Sequence, residues 1–133
     1  MTVKEEVYIS RAPEAVFALV RDLERAPEWQ ESLESVDVQR GTEVRRFAGR
    51  RQEARFLVLE DDPPRRFAIR SEGGPAAARA SFDLKPDGDG TRAVFTLDLS
   101  LRGAARFASA VIRPRVEREA RRNLERLKEL AER

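Results

Sequence analysis

The chain contains neither histidine nor cysteine. That excludes disulfides, thiol nucleophiles, zinc-finger sites, haem ligation and every relay built on Ser-His or Cys-His. It also removes the side chain whose ordinary pKa suits proton transfer near neutrality. Chemistry is left to carboxylates, arginine, lysine, the single Tyr8, or a bound cofactor, and no motif calls for a cofactor or a metal. Arg46, Gln52 and Ser71 stand at positions whose strand parity points inward. An inward arginine could bind a carboxylate or stabilise an enolate. The doublets Arg45-Arg46 and Arg50-Arg51 leave that parity open, since one member of each must face out. Asp87-Gly88-Asp89-Gly90 has the look of a calcium loop but lacks the later ligands and the closing glutamate, so it reads as a hairpin turn. Gly73-Gly74-Pro75 opens no helix and is likewise a turn, not a phosphate cradle. No catalytic set is assigned.

The apolar candidates are better defined. Trp29 is the only tryptophan, and its flat amphipathic ring suits either a ligand wall or a plug between short helices and sheet. Phe56, Phe67, Phe82 and Phe95 fall one per strand on faces read as inward, as a ligand wall or an ordinary core. Phe107, Val111 and Ile112 precede Pro114, towards the end where helix and sheet should diverge. Asn123 lies near the centre of an apolar helical stripe. Buried there, its amide needs partners, either a ligand hydroxyl or carbonyl or a backbone group of the sheet. Glu119, nearer the stripe's edge, reads as a salt-bridge residue.

These residues need elements to position them. Val3, Glu5, Val7 and Ile9 alternate with Lys4, Glu6 and Tyr8, as in a strand. Pro13 suits the first position of a helix, and Pro27 starts a second short helical turn containing Trp29. Strands follow at 33–40, 43–48, 51–60, 65–72, 76–85 and 91–101, divided by turns rich in glycine, proline and aspartate. Short loops favour an antiparallel meander. Ala76, Ala78, Ala80, Phe82 and Leu84 share one face, as do Ala93, Phe95, Leu97, Leu99 and Leu101. After Gly103 the pattern is helical to the end, with a kink or break expected at Pro114. Glu117–Arg121, Arg121–Glu125 and Glu129–Arg133 form pairs at four-residue spacing on a solvated face.

The chain's 133 residues suit one domain, 1–133. Hydrophobic residues make up 41% and charged residues 38%, against a usual charged share of roughly 25%. No run approaches the length of a membrane span and no apolar leader opens the chain, so a cytoplasmic protein is expected. All but three of the 26 basic residues are arginines, yet 24 acids lie among them and the net charge is only +2. Such interleaving argues against nucleic acid, whose partners gather positive charge on one face. The expected α+β architecture is a curved antiparallel sheet of six to seven strands around a long C-terminal helix, with two short helices after the first strand. A twisted sheet diverges from such a helix and leaves a gap, which the alanines at 76, 78 and 80 widen, unless they serve only to let the helix approach.

This order resembles the START-like helix-grip superfamily (SRPBCC), in its polyketide cyclase/dehydrase and lipid-transport branch. The likeness is carried by Glu6-Val7-Tyr8-Ile9, Ala12-Pro13-Glu14-Ala15-Val16-Phe17-Ala18-Leu19-Val20, Asp22-Leu23-Glu24 and Pro27-Glu28-Trp29. It continues through Asp61-Asp62-Pro63-Pro64-Arg65-Arg66-Phe67, Gly88-Asp89-Gly90-Thr91-Arg92 and Leu127-Lys128. The resemblance implies a cavity between helix and sheet for a small apolar or amphipathic molecule, such as a lipid, sterol, quinone or polyketide. Some members guide ring closure with cavity arginine, tyrosine or aspartate, and no such set transfers here residue by residue. Three functions are therefore expected, in this order: a noncatalytic binding or carrier protein, a cyclase or dehydratase, and a protein-interaction module. The oligomeric state is open.

Overall fold

The computed structural model describes residues 1–47 and 49–133. The chain runs β1 (Thr2–Ile9), α1 (Pro13–Arg21), a 3-10 turn (Leu23–Glu28), β2 (Leu33–Asp37), β3 (Thr42–Phe47) and β4 (Arg50–Asp62). It continues with β5 (Arg66–Gly73), β6 (Ala76–Asp87), β7 (Gly90–Leu101), a second 3-10 turn (Gly103–Ala108) and α2 (Ser109–Glu132). The seven strands form one antiparallel sheet in the order β1-β7-β6-β5-β4-β3-β2. Hairpin turns impose the meander from β2 to β7, and β1 joins it by pairing with β7. This is the α+β arrangement expected, with seven strands.

Boundaries moved for local reasons. β2 ends at Asp37, three residues early, because the Asp37 carboxylate accepts the Arg40 N–H at 3.1 Å and turns the chain there. Residue 48 of the expected strand lies outside the described residues. The second short helix is the 3-10 turn Leu23–Glu28, so Pro27 stands near its end and Trp29 follows it as the capping residue. α2 runs unbroken through Pro114. The proline lies early in the helix on its exposed side, where the lost N–H bond is easily tolerated. The backbone instead changes character at Ser109, where the 3-10 turn becomes α-helix.

Two apolar clusters fasten helices to sheet. The larger joins Ile9, Phe17, Trp29, Phe82, Leu124 and Leu127, among others, where β1 and α2 end. The smaller joins Val3 to Val116 and Ala120, with Phe95, Leu97 and Leu99 packed against them. Full burial of side chains such as Ile9 and Leu127 contributes about 1.5–3 kcal/mol each. Two arginines of α2 reach carboxylates outside the helix, Arg121 doing so instead of its expected helical neighbours Glu117 and Glu125. Arg121 pairs with Glu5 at 3.1 Å and Arg122 with Glu31 at 2.7 Å. A carboxylate fixed on a neighbouring strand or loop competes well with a mobile one along the helix.

Candidate functional site

Strand register decides which side chains share the inner face, because directly opposed residues point the same way. Phe67 opposes Phe82, and Phe82 opposes Phe95. Ser71 opposes both Phe56 and Ala78. Glu43 opposes Ala54, and Arg45 opposes Gln52. Phe82 and Phe95 belong to the clusters that touch α2, so this whole set lies on the helix side of the sheet.

A polar network occupies one part of this face. Glu43 is only 5% exposed. Its Oε1 accepts Arg45 Nε at 2.9 Å and the Ser71 hydroxyl at 2.7 Å. Its Oε2 receives only a long 3.5 Å contact from Arg45 Nη2 among the described residues. Arg45 Nη2 also donates to Gln30 Oε1 at 2.8 Å, and its Nη1 reaches Ser32 Oγ at 3.4 Å. Small neighbours make room for this: Glu43 lies over Ala54, next to Gly73. A Cβ at Gly73 would approach Ala54 Cα to 2.8 Å and the Glu53 carbonyl to 2.5 Å. The arrangement places a buried carboxylate, its cation and a hydroxyl on an otherwise apolar surface.

Arg46 is not inward as expected. It opposes Arg51 on the outer face, where both donate to Glu34 at 2.8 Å. The Arg46 hydrogen bond is the main cause that holds the Glu34 carboxyl below the ordinary glutamate range. Arg45 takes the inward place, one residue away. Gln52 is on the inner face but exposed, near the Gly74 turn. Ser71 is on the inner face and joined to Glu43.

Phe67 and Phe82 are buried; Phe56 and Phe95 are half-buried. Trp29 is 3% exposed and stands edge-on to Phe82 at 5.7 Å, and its buried indole N–H finds no acceptor among the described residues. Asn123 Oδ1 accepts the backbone N–H of Glu31 at 3.0 Å, so its partner is the segment after the 3-10 turn and not the sheet. Glu119 is half-buried, and no salt bridge reaches it among the described residues. Tyr8 lies on the outer face under Arg92, 5.8 Å from its ring centroid.

Phe107 and Val111 are corrected outright. Phe107, in the 3-10 turn before α2, is 78% exposed, and Val111 is 81% exposed on the side of α2 opposite its buried line of Val116, Ala120, Leu124 and Leu127. Only Ile112 of that trio is half-buried. The pre-proline stripe thus turns away from the sheet.

α2 packs chiefly along β1. Towards the β5–β6 turn the inner face is therefore only partly covered, and Ile69, Ala78, Ala80, Leu97 and Leu99 all keep accessible surface. The candidate site is this partly covered stretch of the inner face, referred to below as the groove: short side chains form its floor, the Glu43 network stands on its β3–β5 side, and the packed pair of Trp29 and Phe82 belongs to the larger cluster beyond it. A depression of about 420 Å³ lies beside it, lined by Ala18, Leu23, Val58, Asp61 and Phe67 among others. Among the expected lining residues it includes Phe67 alone. A second, of about 370 Å³, lies between Glu28 and Arg133 near the helix end. Glu43, the most buried acid of the groove, was missed in the sequence because it reads as one of many charges interleaved with arginine. Its signal was parity with Arg45.

Curved sheet, grasped helix and lateral groove define a helix-grip protein of the START-like type. Over residues 1–132 the chain matches the family described as "Polyketide cyclase / dehydrase and lipid transport", and it belongs to that family. Among solved structures, TTHA0849 from Thermus thermophilus is 24% identical, with TM-score 0.82 over 98% of this chain and 97% of that one. The Zhui aromatase/cyclase from a Streptomyces species is 17% identical, with TM-score 0.82 over 100% and 94%. The di-domain aromatase/cyclase StfQ of the steffimycin biosynthetic pathway is 12% identical, with TM-score 0.79 over 98% of this chain and 50% of that one. At these identities the likeness is one of fold. A search of curated proteins found no match. No described helix is long and apolar enough to cross a membrane.

Proposed function

We propose that residues 1–133 form one unit that binds a small apolar or amphipathic molecule in the groove between α2 and the inner sheet face. The observation that carries this is the apolar floor at Ile69, Ala78, Ala80 and Leu97, which the chain's own side chains cover only in part. Leaving such surface unburied forgoes roughly 25 cal/mol per Å², a sacrifice that a ligand would recover. Glu43 offers its Oε2, met among the described residues only by the long contact from Arg45, so the ligand's polar end would be an uncharged hydrogen-bond donor. Arg45 is already neutralised by Glu43 and is no longer free to select a carboxylate.

The test is a thermal-shift titration with fatty acids, quinones, sterols and aromatic polyketides, alongside native mass spectrometry of protein from its own host. A ligand at a hundred times its Kd stabilises by about 2.7 kcal/mol, several degrees in Tm for a domain of this size. Ala78→Leu should abolish that shift while leaving the apo melting point nearly unchanged. If no class raises the melting point and nothing co-purifies, the reading fails.

The buried Glu43 beside Ser71 specifically favours a second reading, an enzyme of the cyclase or dehydratase kind. A carboxylate in an apolar groove is placed to take a proton from a bound substrate. Glu43→Gln separates the two: a carrier keeps its function, whereas an enzyme still binds but stops turning over.

A further inference from the structure

The start of α2 carries a surface that the groove does not account for. Phe107 is 78% and Val111 81% exposed. At about 100° per residue, Arg115 and Arg118 continue the line of Val111 along the helix, and both are exposed. From Leu99 to Val116 the sequence holds Arg102, Arg106, Arg113 and Arg115 and no acidic residue, in a chain whose net charge is only +2. Arg102 pairs with Glu72, and Arg113 lies 3.9 Å from Glu117. Arg106 instead lies over the Phe107 ring, 4.8 Å from its centroid. Arg115 and Arg118 meet no carboxylate among the described residues. Exposed apolar side chains set among unneutralised cations are the pattern of a helix that lies on charged lipid.

We propose that this segment docks on an anionic lipid surface. Phe107 and Val111 enter the boundary between headgroups and acyl chains, while Arg106, Arg115 and Arg118 meet the lipid phosphates. A second copy of the chain fits less well. A twofold contact would set the same arginines against one another, and two side chains cover far less than the roughly 800 Å² per partner of a stable interface. The position adds sense to the docking. The Arg102 N–H donates to the Pro75 carbonyl at 2.7 Å, so the segment begins beside the β5–β6 turn, at the sheet end where the groove is least covered. Docking does not depend on what the groove holds, because vesicle binding is read without a ligand.

The experiment is co-sedimentation of the full chain with vesicles of phosphatidylglycerol and phosphatidylcholine in equal parts, and with phosphatidylcholine alone. Binding is expected to the mixed vesicles only, and to weaken as salt rises. Phe107→Ser with Val111→Ser should reduce it by about tenfold or more. Arg115→Gln with Arg118→Gln should cost about twenty-fivefold, at roughly fivefold per cation. All four side chains are exposed, so the variants should melt as the parent does, which calorimetry checks. Equal binding to both vesicle types, absence of binding, or variants that bind like the parent would each overturn the proposal. So would a dimer in analytical ultracentrifugation that the Phe107→Ser and Val111→Ser pair dissolves, since that assigns the face to a second copy.

Discussion

A carboxylate 5% exposed on a surface of alanine and phenylalanine is costly unless its charge is met. Glu43 meets that condition through Arg45 and Ser71, and the three should behave as a unit. Arg45→Met strands the carboxylate and should destabilise by about 2 kcal/mol in urea melts. The double variant Arg45→Met, Glu43→Gln should cost less than Arg45→Met alone, since no unpaired charge remains. A double variant less stable than the single would refute the coupling. Only part of this was legible residue by residue. Parity placed Ser71 and Phe82 inward but miscounted Arg46 by one, because no apolar alternation marks 43–46 and either arginine fitted. A register shift between Leu33 and Ser35 also breaks counting from the neighbouring strand.

Among the elements, α2 holds the groove's far wall by polar links as well as by packing. Asn123 accepts the Glu31 N–H at 3.0 Å while Arg122 grips the Glu31 carboxylate at 2.7 Å. Asn123→Ala should cost about 1 kcal/mol and speed amide exchange at Glu31, leaving β6 and β7 unaffected. The acid side of the stability profile follows from the same kind of contact. Hydrogen bonds from Arg122, Arg46 and Lys128 hold Glu31, Glu34 and Glu132 below the ordinary glutamate range. Their folded pKa values are depressed, so their contribution is present above the unfolded value of about 4.3 and is lost as pH falls through the folded values. Urea midpoints should therefore be level near neutrality and fall in acid, by less in high salt because the pairs are exposed. The elements themselves were largely legible, since alternation and turn chemistry are local. The helical ion pairs were not, because the acids they found lie on β1 and after the 3-10 turn, some 90 or more residues distant.

Taken whole, the molecule is solid at one end and open at the other. Ile9, Leu124 and Leu127 close the end where β1 and α2 finish, whereas the β5–β6 end stays partly uncovered. Leu127→Ala should cost about 3 kcal/mol, while Ala78→Leu, on the open side, should change stability little. Comparable losses from both would mean that the groove is as tightly packed as the core. A separate consequence comes from Trp29, sole indole of the chain, set against Phe82 with no acceptor for its N–H among the described residues. The protein carries its own lamp inside the larger apolar cluster. Shielded from water, it should glow at short wavelength, and any opening that lets water reach that nitrogen should redden the light.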